Sequence, residues 1–201
     1  METDRRTMLR LLASAPAAAG FAWTEAEAQQ AHTHAQAAQT AARKTGTAFK
    51  PTFFNAHEWA TIGVLVDIII PRDDRSGSAT DAAVPEFMDF MMIDQPGRQT
   101  AMRGGLAWLD RECVSRYDKM FVACTDPERG RVLDDIAWPE KTPPGPSHGV
   151  AFFNSFRDLT ASGFWTSRMG IKDLEYQGNV FVPEWKGCPD DVLKKLGVDR
   201  A

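Results

Sequence analysis

His57 and Glu58 stand side by side at the head of an apolar helical pattern, which is how the metal-binding helix of a zinc hydrolase begins. Such a helix needs a second histidine four residues on, so that both imidazoles meet one zinc ion from the same face. Thr61 occupies that place, and beyond residue 57 the chain has only His148. A zinc site would have to be completed with carboxylates, so the sequence argues against metal hydrolysis. The loop Asp73-Asp74-Arg75-Ser76-Gly77-Ser78-Ala79-Thr80-Asp81 offers oxygen donors of the kind calcium takes. An EF-hand alternates its ligands and closes on a glutamate, whereas Arg75 stands at a ligand position and Ala83 and Val84 follow. The loop is expected to be solvated instead.

Nothing else has the spacing of a catalytic or cofactor motif. Gly104-Gly105 lies inside a helical pattern and makes no dinucleotide or phosphate cradle. The chain has no Cys-x-x-Cys-His for covalent haem and no serine in a nucleophile elbow. Its three cysteines, Cys113, Cys124 and Cys188, show no metal-ligand spacing. Cys113 falls on the apolar side of a helix and reads as a small buried hydrophobe. Cys188, between Gly187 and Pro189 in a polar stretch, is the candidate for exposure and for a disulfide to another chain.

The elements that carry these residues read as helices. Asn55 and Glu58 have the spacing of a capping box, and Trp59, Ile62, Val66 and Ile69 follow at helical intervals until Pro71. Pro85 opens a helix to Gln95 with Phe87, Phe90, Met91 and Ile93. A longer helix carries the stripe Met102, Leu106, Leu109, Cys113 and Tyr117, with Trp108 off that stripe. Thr125 and Glu128 form a second capping box ahead of Val132, Leu133 and Ile136. Glu140 to Gly149, rich in proline, is expected to be a surface loop. Phe152, Phe153, Phe156 and Leu159 then recur at helical spacing, followed by Phe164 and Trp165. Beyond Gly170 the pattern is irregular until Val192 to Leu196, and Val180-Phe181-Val182 is a weak strand signal. The expected fold is all-α: one compact helical domain over 52–201 with long irregular loops.

Two segments precede it. Arg5-Arg6, the apolar Ala-rich run from Leu11 to Trp23 and the small residues around Glu27 have the order of a twin-arginine export signal, with cleavage expected after Ala28. The alternative is an amphipathic N-terminal helix that merely contains two arginines. Residues 29–51, dominated by Ala, Gln, Thr and His, are expected to form a disordered tether in which His32 and His34 are solvated. Removal of the signal leaves twenty basic against twenty-three acidic residues. That near-neutral balance gives no footprint for nucleic acid or anionic lipid. No second apolar run approaches the ~20 residues needed to cross a bilayer.

Large aromatics stand beside glycines and charges at Phe53-Phe54, Trp108, Phe164-Trp165, Tyr176 and Trp185. Phe53, Phe156 and Phe164 read as core, but six tryptophans exceed what one small core needs. Together with Arg168 and Asp173 they have the composition enriched at protein interfaces.

The ordered blocks Phe53-Phe54-x-x-His57-Glu58-Trp59, Ile69-Ile70-Pro71-Arg72-Asp73, Gly105-Leu106-Ala107-Trp108-Leu109-Asp110, Phe152-Phe153-Asn154 and Gly163-Phe164-Trp165-Thr166-Ser167 resemble the gluconate 2-dehydrogenase subunit 3 family. The likeness runs to about Pro189 and includes Gly170-Ile171-Lys172-Asp173-Leu174, Tyr176 and Gly178-Asn179. The resemblance implies a non-catalytic small subunit of a periplasmic gluconate or sugar dehydrogenase. Its partner would be a flavoprotein of the glucose-methanol-choline (GMC) type carrying FAD, at times joined by a membrane-attached multihaem cytochrome c. It also implies that the small subunit supplies the twin-arginine signal on which the flavoprotein leaves the cytoplasm through the translocase, and it assigns no cofactor to this chain. On this reading the partner surface is sought among Phe54, His57, Glu58, Trp108, Trp165, Arg168, Asp173, Tyr176, Trp185 and Cys188. The rival reading is a secreted helical enzyme or ligand-binding protein working alone with His57 and Glu58. Between the two lies a subunit that lends His57 to the edge of its partner's substrate site.

Overall fold

Asn55 starts the first helix, α1 (Ala56–Ile69), by the expected reciprocal capping: its side chain accepts from the Glu58 N–H and Glu58 Oε2 accepts from the Asn55 N–H, both at 2.9 Å. This computed structural model describes residues 29–31, 33–35, 37, 40, 49–138, 147–176, 183–184 and 187–198. All regular structure among them is helical, with no strand. After α1 come α2 (Val84–Asp94), α3 (Gln99–Tyr117), α4 (Asp126–Ala137), α5 (Ser147–Trp165), α6 (Arg168–Asp173) and α7 (Asp190–Leu196). Short 3₁₀ turns at Pro96–Arg98 and Phe121–Ala123 lead into α3 and towards α4. The second capping box is present as well, with Thr125 and Glu128 at the start of α4.

The apolar stripes find one another in a single core. Ile62, Leu65 and Val66 of α1, Met102, Leu106, Leu109 and Cys113 of α3, and Val132, Leu133 and Ile136 of α4 are all buried. α2 is buried almost all round, from Val84 to Asp89 and again at Met91 and Met92, whereas Ile93, expected in the core, is exposed. α5 is the pillar of the bundle and packs against α1, α2, α3, α4 and α6. Close approach depends on glycines. A Cβ on Gly105 of α3 would fall within the ring of Phe152, one on Gly149 within the indole of Trp108, and one on Gly163 would lie 2.8 Å from Phe87 Cδ1.

Below this bundle, Asp89 gathers the chain that leads into α1. Its carboxylate is 2% exposed and accepts the backbone N–H groups of Thr52, Phe53 and Phe54 at 2.9 to 3.1 Å. A buried carboxylate is tolerable here because three donors replace its water.

Three expectations are corrected. Within the stretch read as a disordered tether, the described residues 29–31, 33–35, 37 and 40 are helical, with Ala31 and Ala35 in the core. Alanine is the best helix former, and its small side chain lets the backbone come close, so little apolar area suffices to seat it. His34, expected to be only solvated, stacks on Phe90 at 4.7 Å between ring centroids. Ser147 to Gly149, placed in the surface loop, belong to α5, and Gly149 is buried under Trp108. The export signal with its cleavage site, the rest of the tether and the strand signal at Val180 to Val182 lie outside the described residues.

Adjacent glycines give opposed expectations. Gly104 has nothing within 4 Å of an added Cβ, so Gly104→Ala should raise stability by about 1 kcal/mol through helix propensity. Gly105→Ala gains the same propensity but must displace Phe152, for a net loss of about 2 kcal/mol. Urea unfolding of both variants beside the parent checks this; a shift of the same sign in both contradicts the packing argument.

Candidate interaction surface

The residues that first suggested chemistry are engaged in holding elements together. His57 Nε2 lies 2.6 Å from Asp110 Oδ2, which links α1 to α3, and Asp110 Oδ1 accepts the Phe121 N–H at 3.0 Å. The 3₁₀ turn at Phe121 is clasped from the other side by Arg129, whose Nε and Nη2 donate to the carbonyls of Phe121 and Val122. Glu58, besides capping α1, faces Arg103 Nε at 3.4 Å. Arg103 in turn donates to the Phe53 carbonyl and lies over the Phe53 ring at 4.4 Å. Neighbours in a helix point about 100° apart. His57 and Glu58 accordingly turn to different partners and do not converge on a common point.

The acidic loop is likewise satisfied from within. Asp73 Oδ1 accepts the Arg75 and Ser76 N–H groups at 2.8 Å, and those two bonds, Ser76 first, hold its carboxyl below the usual carboxylate range. Asp81 Oδ2 accepts from the Ser78 N–H at 2.8 Å and from Arg72 Nη2 at 2.6 Å. Asp67 of α1 takes the N–H and hydroxyl of Thr80. Asp73 to Arg75 are exposed as expected, whereas Ser78 and Ala79 are buried, so the loop is solvated at its start and folded into the body further on. Among the described residues no group of three or more His, Cys, Asp or Glu side chains could hold a metal. None of their helices is long and apolar enough to cross a membrane.

A different region combines exposure with apolar character. The end of α5, α6 and the residues after it leave Trp165 and Ile171 38% exposed, Leu174 57% and Tyr176 58%. Ser167 caps α6 by accepting the Gly170 N–H at 2.9 Å, and Trp165 stands edge-on to the buried Phe164. Alongside runs an open cleft of about 750 Å³ between α6 and the acidic loop, lined by charged residues such as Arg75, Asp81, Arg168 and Lys172 and by the apolar Ala82 and Met169. Arg75 crosses it, its Nη2 donating to the Asp173 carbonyl at 2.6 Å and its Nε 3.4 Å from Asp173 Oδ1. That oxygen is buried with no hydrogen bond, so the pair is slack.

Of the ten residues expected at a partner surface, Trp165, Arg168, Asp173 and Tyr176 fall together on this segment. Cys188 is an exposed free thiol just ahead of α7, beside Gly187 with φ +89°. His57 is half-exposed but tied to Asp110, and Glu58 serves the helix cap. Trp108 is half-buried over Gly149, and Trp185 lies outside the described residues. Phe54 is corrected: at 3% exposure it sits in the core, because the Asp89 clamp on the backbone of residues 52–54 holds it there. Sequence reading missed Arg75, Ile171, Lys172 and Leu174 as members of the surface. Arg75 meets Asp173 across ninety-eight positions, and no local pattern announces such a contact.

Residues 56–183 match the family model of gluconate 2-dehydrogenase subunit 3, and the chain belongs to that family. The family's description makes it a subunit of a dehydrogenase complex. No curated protein and no solved structure gives a match.

The junction around the 3₁₀ turn carries a pH dependence. The Thr125 N–H, then the Lys119 ammonium, hold the Glu128 carboxyl down at about 2, against an ordinary value of 4.5. A depressed folded-state pKa gives stability that is full above the unfolded value and lost as pH falls through the folded one. The melting temperature should therefore decline between about pH 4.5 and pH 2 in part through this group. Glu128→Gln should lower the plateau and flatten that part of the curve in a thermal melt series. An unchanged acid slope would remove Glu128 from the account.

Proposed function

We propose that this gluconate 2-dehydrogenase subunit 3 is the non-catalytic small subunit of a periplasmic, FAD-dependent gluconate or sugar dehydrogenase. It binds and stabilises a GMC-type flavoprotein, and a multihaem cytochrome c completes the complex where electrons pass to the membrane. The small subunit holds no cofactor of its own; FAD belongs to the large subunit and haem c to the cytochrome. The observation that carries the reading is the exposed apolar segment Trp165, Ile171, Leu174 and Tyr176 on a chain whose family is a dehydrogenase subunit. Contiguous apolar exposure of this kind is what a partner covers. What favours this reading over a stand-alone enzyme is that His57 pairs with Asp110 while Glu58 caps α1, so the two side chains do not converge on one point.

Export follows the same logic. Arg5 and Arg6 head a signal of the type that carries folded proteins, and a flavin-loaded enzyme has to be folded before it moves. The large subunit, lacking a signal, travels bound to this chain through the twin-arginine translocase. Replacing Arg5 and Arg6 by Lys should leave both subunits, with their dehydrogenase activity, in the cytoplasmic fraction of cells expressing the complex. A large subunit that still reaches the periplasm sinks the carrier role.

Cys188 is the thiol positioned to join the subunits, exposed in a turn between Gly187 and Pro189. The purified complex should run as one reductant-sensitive species on a non-reducing gel. Cys188→Ser should abolish that band, spare export and lower the temperature at which the complex separates, a cross-link contributing about 2–4 kcal/mol. Subunits that migrate apart without reductant rule the link out.

A further inference from the structure

Cys113 lies on α3 and Cys124 directly after the 3₁₀ turn, and both are buried in the same core. Asp110 and Cys113 are three residues apart and so lie on one face of α3. Phe121 and Cys124 are separated by the same three residues, and the Cys124 N–H bonds to the Phe121 carbonyl at 3.2 Å. The Asp110–Phe121 hydrogen bond of 3.0 Å sets the turn alongside the helix, and Cys113 and Cys124 are neighbours in the core beneath it. Both are buried, 0% and 3% exposed, and Cys124 Sγ lies 3.8 Å from the Lys119 carbonyl. Burial first, then the neighbouring Cys124, pushes the Cys113 thiol up to about 12. Such a pair is protonated and slow to react at neutral pH while the turn stays shut.

We propose that Cys113 and Cys124 form an intrachain disulfide when the chain meets a small-molecule disulfide oxidant, fixing the end of α3 to the 3₁₀ turn and leaving Cys188 as the single thiol. The step is two successive exchanges. One cysteine, as its thiolate, attacks a sulfur of the oxidant and releases the first thiol of that oxidant. The other cysteine attacks the resulting mixed disulfide and releases the second. One sulfur–sulfur bond forms and one breaks, the two cysteines are oxidised, and their protons end on the two released thiols. The bond would close a short segment, 113 to 124, between two side chains that are neighbours in the core. This inference does not rest on the subunit role and stands or falls separately from it.

The test uses the full chain, purified in reductant, freed of it and equilibrated with oxidised glutathione. After denaturation, a maleimide reagent should label one thiol per chain, against three in the reduced sample. Trypsin cuts at Arg116 and Lys119, between the two cysteines, so the disulfide should join the peptide ending at Arg116 to the one beginning at Met120. Cys188→Ala should still give the joined peptides and label no thiol, and the oxidised chain should melt higher than the reduced one. The Cys113→Ala, Cys124→Ala double variant should lose that difference in melting. Three labelled thiols after oxidation, or glutathione attached at Cys188 alone, or a joined peptide containing Cys188, would overturn the pairing.

Discussion

One helix touching five others is the constraint on which this fold depends, and backbone approach is its limiting quantity. α5 can lie against α2 and α3 only where large rings and absent side chains alternate across the contact: Phe152 over Gly105, Trp108 over Gly149, Phe87 over Gly163. Cores at organic-crystal density leave no slack for an added methyl at such places. The blocks that mark the family, Gly105 to Asp110, Phe152 to Asn154 and Gly163 to Ser167, include both halves of the first joint and one half of each of the others.

Acidic residues repeat a second device. Asp67, Asp73, Asp81, Asp89 and Asp110 each accept at least one backbone N–H from a loop or an incoming segment. A carboxylate in that position replaces the hydrogen bonds that irregular backbone loses on leaving water. The oxygen-rich sequence that invites a metal reading is explained by the same demand, since the loop spends its oxygens on its own amides.

What the sequence made legible was local. Both capping boxes, the stop before Pro71 and the α3 stripe can be read within one or two turns, and the structure has them where the spacing put them. α2 was legible as a helix opened by Pro85, but its burial on nearly every side was not, because such a helix has no amphipathic period to show which face turns inwards. Ala31 and Ala35 hid because alanine contributes little area, which composition read as inability to pack. For the surface, Trp165, Arg168, Asp173 and Tyr176 were visible as types, but the cleft beside them is closed by Arg75 from a loop far away in sequence. Phe54 was misplaced because a pair of adjacent phenylalanines does not say which one turns inwards, and Asp89, thirty-five residues on, decides it.

The leading segment has two moorings on α2, where His34 stacks on Phe90 and the amides of residues 52–54 share the Asp89 carboxylate, beside the hold of Arg103 on Phe53. A pull on the amino end therefore loads the most deeply buried helix and not a peripheral one. Three hydrogen bonds on one carboxylate bear such a load in parallel and must rupture together, whereas a strand or helix edge would unzip one bond at a time. Mechanically, the chain is hitched by its keel, so traction on the leader tows the folded body whole before it can be peeled open.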